Sequence, residues 1–170
     1  MSRPAVRVLG IDTSLRSTGV GVVESSGSSL RYVDCGFLKT TPKWLHSECL
    51  KTIADGINKI IEATKPTAVS IEGSFFYKNA KTAMVLGEAR GVAIATCAAH
   101  GLPIYEYAPR RVKQAVVGFG NADKLQVAKM VMTLLNLQEQ PQSDAADALA
   151  IAICHIHSHK NLPGMQSTVI

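Results

Sequence analysis

Short apolar runs divided by polar turns open the chain, and helical spacing takes over after Pro42. Val6 to Ile11, Gly19 to Glu24 and Leu30 to Leu38 are rich in β-branched and apolar residues, which predicts three strands. Turns as short as Ser25-Ser26-Gly27-Ser28-Ser29 make them antiparallel neighbours. Leu45, Cys49, Ile53, Ile57, Ile60 and Ile61 then recur at three- and four-residue spacing, the pattern of a helix with one buried face. Lys65-Pro66 stops that helix, and Ala68 to Ile71 forms a fourth strand that ends at Glu72. A helix rich in small residues follows over 78–100, a fifth strand over Pro103 to Tyr107, and helices near 109–116, 122–135 and 143–157. Three strands, then strands alternating with helices, predict an α/β fold: a mixed five-stranded sheet between helical layers. One domain spans 1–157, and 158–170, with Pro163 and Gly164, is expected to be a loosely tethered tail.

Four carboxylates occupy positions where the chain changes character. Asp12 and Glu72 each end an apolar strand, so parallel neighbours would deliver both to one edge of the sheet, where open α/β sheets place their sites. Asp144 and Asp147 lie at i and i+3 near the start of the last helix, on one face and one turn apart. Each has a plainer reading. Asp144 suits a helix cap, and an acid after a strand is often an exposed loop residue. Asp147 lies too far into an otherwise apolar helix for capping to explain it. Together the four suggest a metal cage for phosphodiester chemistry.

Charge makes a polyanionic partner plausible. The 170 residues carry 18 Lys and Arg against 13 Asp and Glu, net +5, and setting the four acids aside leaves 18 against 9, or +9. Residues 73–130 hold eight basic groups and three acidic ones, so the middle of the chain is expected to face phosphate. The plain alternative is a solvated basic surface.

Cysteine and histidine add little chemistry. Cys35, Cys49, Cys97 and Cys154 are too widely spaced for a zinc site and read as reduced thiols. His155, His157 and His159 fall where the last helix fades, and interaction with its dipole explains them more simply than a metal. A charged N-terminal segment leading into an apolar stretch is missing, as is a run of about eighteen apolar residues, so a cytoplasmic location without a membrane partner is expected.

The motifs, taken together, carry a family resemblance. Leu9-Gly-Ile-Asp-Thr-Ser-Leu-Arg-Ser-Thr-Gly-Val-Gly21, Ile71-Glu-Gly-Ser-Phe-Phe-Tyr-Lys-Asn-Ala80, Leu86-Gly-Glu-Ala-Arg-Gly-Val-Ala93, Val112-Lys-Gln-Ala-Val-Val-Gly-Phe-Gly120 and Asp144-Ala-Ala-Asp-Ala-Leu-Ala-Ile-Ala152 follow in the order and spacing of the RuvC family of Holliday junction resolvases. The resemblance covers about residues 6 to 157. It implies a ribonuclease H-like three-layer fold and a homodimer that resolves four-way DNA junctions by paired nicks, working beside a branch-migration helicase complex. It also implies two Mg²⁺ ions per active site, with Mn²⁺ able to substitute, held by Asp12, Glu72, Asp144 and Asp147. Lys113 and Lys124 match family positions near the DNA, Lys113 among the catalytic set, and Phe75 matches an aromatic presented at the junction centre. Lys78, Lys81, Arg110 and Arg111 are further candidates for DNA backbone contacts.

The chain departs from the family pattern after Asp12, where Thr13-Ser14 replaces Pro-Gly, and at Gly73, where Gln is frequent. The first departure puts the path of the loop beside Asp12 in question. It leaves open a second function, a non-catalytic junction-binding protein that keeps the basic surface without productive metal binding. The loop from Gly10 to Gly19 is also similar to the first phosphate loop of actin-like sugar kinases, whose second domain 170 residues are too few to supply.

Overall fold

The computed structural model describes residues 5–73, 79–161 and 168–170. Strands β1 (Val6–Asp12), β2 (Ser17–Ser26) and β3 (Ser29–Lys39) come first, then helix α1 (His46–Thr64), strand β4 (Ala68–Glu72), helix α2 (Ala80–Ala99) and strand β5 (Ile104–Tyr107). Helices α3 (Pro109–Val117), α4 (Lys124–Leu135) and α5 (Ser143–Asn161) precede strand β6 (Thr168–Val169). The sheet runs β3-β2-β1-β4-β5-β6, antiparallel through the first three strands, parallel across β1, β4 and β5, and antiparallel again at β6. This is the mixed α/β architecture that the alternation of strand and helix patterns predicts.

The strand count is six where five were expected. Thr168 and Val169 pair with Glu106 and Tyr105, and two residues carry too little periodicity for a sequence reading to register. The last helix also runs past the expected end at 157 to Asn161, with its His155 and Ser158 buried. The hairpin between β2 and β3 is tighter than its serine-rich turn suggested: Ser26 pairs with Ser29, and Gly27 supplies the positive φ that a two-residue turn requires.

Alternation along β1 and β4 divides the core into two halves. Leu9, Ile11, Val69 and Ile71 face α1 and α2 with Ile53, Ile57, Ala89 and Ala93. Val8 faces the other side with Leu149, Ile151 and Ile153 of α5 and the buried sides of α3 and α4. Ala148 to Cys154 are all buried, because α5 is enclosed by the sheet below and by α3 and α4 around it.

Close approach between α5 and the first hairpin requires glycine. A Cβ on Gly10 would stand 2.0 Å from the Ala148 carbonyl oxygen, one on Gly19 would stand 2.0 Å from that of Asp144, and one on Gly21 would meet Leu149. Backbone rests on backbone at these points. Gly10→Ala and Gly19→Ala are therefore each expected to lower unfolding free energy by at least about 1–3 kcal/mol, the usual cost of overpacking, as read from the urea midpoint.

Candidate active site

Strand register brings the acids together. β1 and β4 are parallel neighbours with Ile11 beside Ile71, so Asp12 and Glu72 leave the sheet at the same edge. The start of α5 lies across that edge, pressed onto Gly19, the residue that pairs with Asp12. One carboxylate oxygen from each of Asp12, Asp144 and Asp147 lies within 4.8 Å of the other two. Glu72 is not one of these three. It lines a cavity of about 190 Å³ together with Asp12, Asp147, Pro109, Lys113 and Lys124.

The cluster is electrostatically strained. Burial pushes the Asp12 carboxyl up from 3.8 to about 7, with Asp147, Glu72 and Asp144 adding repulsion and Lys124 opposing. Burial, then Asp147, also raises Glu72, while Lys113 and Lys124 pull it down. Lys124 donates from Nζ to Oδ2 of Asp147 at 2.8 Å, a bond that holds its ammonium above the usual lysine range. An ammonium thus stands where positive charge is wanted. Hard oxygen donors converging at the end of a rigid strand and the start of a rigid helix suit a divalent cation.

The capping alternative for Asp144 does not describe its bonds. Gln142 caps α5 instead, its Oε1 accepting from the backbone N–H groups of Asp144 and Ala145 at 2.8 and 3.1 Å. The Asp144 carboxylate accepts from the Ser17 hydroxyl and, at 2.9 Å, from Gln142 Nε2. Neither neighbour stood out in the sequence. Gln is a weak capping signal, and Ser17 is local to Asp144 only after folding.

The loop beside Asp12 is firmly tied. Thr18, fully buried, donates its hydroxyl to the Ser14 carbonyl at 2.5 Å and accepts from the Ser14 N–H at 3.3 Å. The Thr40 hydroxyl donates to the Leu15 carbonyl at 2.6 Å, and the Thr40 N–H donates to that of Arg16 at 3.1 Å. Thr13-Ser14 therefore follows a defined path without Pro-Gly.

The basic candidates are dispersed. Lys113 and Lys124 face the acidic cavity. Arg110 is exposed and its side chain lies against Gly120, whereas Arg111 bonds the Ser158 hydroxyl at 3.2 Å between α3 and α5. Lys81 is exposed at the start of α2. Phe75 and Lys78 lie outside the described residues. His155 is buried with Nδ1 2.8 Å from the Tyr107 hydroxyl, His157 Nδ1 is 2.8 Å from the Ala115 carbonyl, and all four cysteines are free.

Comparison with known proteins shows the family. The family described as Crossover junction endodeoxyribonuclease RuvC matches residues 8–155. A relative of that name from Vibrio vulnificus is 49% identical over 155 residues, covering 91% of this chain and 89% of the relative. One from Nitrosomonas eutropha is 48% identical over 161 residues, covering 95% and 90%. The solved structure of T. thermophilus RuvC in complex with Holliday junction substrate superposes with a TM-score of 0.90 at 34% identity, covering 97% of this chain and 99% of that one.

The raised Asp12 carboxyl has a measurable consequence in chelator. Its pKa is higher folded than unfolded, so it favours the folded state most below about pH 4, and that contribution is lost as pH rises through about 7. Metal-free protein is expected to lose thermal stability over this range. Asp12→Asn should flatten the profile and melt several degrees above wild type at pH 8, as followed by calorimetry in EDTA.

Proposed function

Because the chain belongs to the RuvC family of crossover junction endodeoxyribonucleases, we propose that it resolves four-way DNA junctions by metal-dependent hydrolysis of one phosphodiester in each of two opposed strands. The observation that carries this reading is the convergence of Asp12, Asp144 and Asp147 at the edge of the cleft that Asp12 and Asp147 share with Glu72. Lys113 and Lys124 at the same cleft supply the positive charge a phosphate would meet.

Asp12, Glu72, Asp144 and Asp147 would hold two Mg²⁺, whose chemistry there would be to activate water and to stabilise the leaving oxygen. The chain's own part is to position and to compensate charge. Asp12, on the sheet, and Asp144 and Asp147, on α5, are set by rigid elements, and Ser17 and Gln142 orient Asp144. Lys124, its side chain 74% exposed, is free to exchange Asp147 for a backbone phosphate, and Lys113 faces the same space. The binding-only alternative rested on a lax loop at Thr13-Ser14, and the bonds made by Thr18 and Thr40 favour catalysis instead.

Two clefts acting on opposed strands call for a homodimer, and α2 supports one. Met84, Gly87, Gly91, Ala95 and Ala98 form an exposed stripe along it, and a Cβ on Gly87 or Gly91 would meet nothing within 4 Å. A second copy of the helix can lie close there. The same reading places the protein in the cytoplasm beside a branch-migration helicase complex.

Nicking of a synthetic four-way junction with Mg²⁺, against EDTA and against linear duplex, tests the proposal. Junction-selective paired nicks are expected, and equal cleavage of duplex would sink it. Asp12→Asn should abolish nicking while junction binding persists, and Lys124→Ala should slow nicking about 100-fold or more. Gly91→Phe should convert a dimer to a monomer in sedimentation.

A further inference from the structure

Glu72 is held from the far side of the sheet. Asp12 and Glu72 leave β1 and β4 toward α5, whereas Ile71 faces the layer of α1 and α2. From α2, Arg90 reaches across the end of β4. Its Nη1 donates to the Glu72 carbonyl oxygen at 2.9 Å, and its Nη2 is ion-paired with Glu106 Oε2 on β5. The Arg90 side chain is only 15% exposed, so its positions are few. Gly73 leaves the room: a Cβ there would stand 3.1 Å from Glu106 Oε1. On the same peptide, the Gly73 N–H donates to the Tyr107 carbonyl at 2.8 Å. Both polar groups of the peptide linking Glu72 to Gly73 are therefore bonded at the point where the chain leaves the sheet.

We propose that Arg90 is a positioning residue for Glu72: oriented by Glu106, it fixes the last peptide of β4 and with it the direction in which the Glu72 carboxylate enters the acidic cleft. A strand end without such a bond frays, and a metal ligand needs its direction set to well within 1 Å. The cations that lower the Glu72 carboxyl are Lys113 and Lys124, so Arg90 works through the backbone and not as a counter-charge. Gly73, where the chain departs from the family pattern, leaves the Arg90 and Glu106 pair a few tenths of an ångström of slack beside the strand end.

The inference rests on Glu72 belonging to the metal-holding set, and the experiment separates the two. Arg90→Gln, Arg90→Lys, Glu106→Gln and Glu72→Gln are compared in single-turnover nicking of a synthetic junction, Mn²⁺ affinity by electron paramagnetic resonance without DNA, junction affinity in EDTA, and melting. Arg90→Gln should lower the nicking rate and the Mn²⁺ affinity each about 10–100-fold, the usual effect of losing an outer-shell partner. Junction affinity should stay within about twofold on the same reasoning, since the lost bond touches no DNA. Arg90→Lys, which keeps one donor, should recover part of both losses, and Glu106→Gln should fall between. Unchanged rate and Mn²⁺ affinity in Arg90→Gln overturn the proposal, as does a loss that tracks junction affinity and melting and is not relieved by lysine. If Arg90→Gln does not fold, Glu106→Gln decides by the same criteria. A silent Glu72→Gln overturns the underlying assignment as well, whereas an inactive Glu72→Gln with a silent Arg90→Gln overturns only the positioning role.

Discussion

The contact between α5 and the first hairpin is the constraint on which the acidic cleft depends. Residues 12 and 144 are far apart in sequence, and only backbone-to-backbone packing brings them within reach of a shared ion. Gly10, Gly19 and Gly21 lie where side chains would hold the helix off, and Gly19 is at once the partner of Asp12 in the sheet and the floor beneath Asp144. A Cβ at any of these positions must push the helix away from the strands, which disturbs the core and separates the acids together. The Ser70 hydroxyl, donating to the Ile151 carbonyl at 3.0 Å, ties the same helix to β4 and so to the strand that ends in Glu72.

Holding like charges together has a cost, and the fold meets it elsewhere. Lys124 neutralises part of the cluster, but its ammonium is exposed, and exposed ion pairs contribute little, with a median of about 0–1 kcal/mol. The compensation comes from apolar burial on α5, where Ala148 to Cys154 are enclosed on all sides and anchor the helix regardless of the repulsion at its start. A cluster held in place while still repelling is prepared for a divalent cation, because binding then removes strain without rearranging the backbone.

Much of this was legible in the chain because strand ends and helix starts leave strong signals. Asp12 and Glu72 terminate apolar runs of strand length, and Asp147 interrupts an apolar helix, so three of the four cleft acids stood out on pattern alone. Asp144 was ambiguous for a physical reason: Asp at a helix start satisfies backbone donors as readily as it holds a metal, and only the folded structure shows that Gln142 takes the capping bonds. What could not be read are the supports. Ser17, Thr18 and Arg90 fall within the quoted motifs, yet they act through contacts set by register and by crossings between layers, and nothing in the motifs or the periodicity assigns them those partners. β6 was missed because a two-residue strand has no period, and its partner β5 does not advertise a free edge.

The apolar character of α2 shows how composition alone can mislead. By length and hydropathy Ala80–Ala99 could cross a membrane, yet its residues are bound into the domain on one side: Ala89, Ala93 and Cys97 are buried, Arg90 is clamped between Glu72 and Glu106, and Glu88 pairs with His46 of α1. A lipid-facing helix would gain most from large apolar side chains, but the outward stripe here is mainly glycine and alanine, with Met84 the exception. Small residues offer little transfer energy and much closeness. That trade suits another backbone rather than a hydrocarbon phase, and it places the proposed dimer seam on the helix whose Arg90 reaches the end of β4. The sheet thus carries acids on one face and the helix of the proposed seam on the other, with Arg90 and the Glu72 carbonyl as the polar link between them.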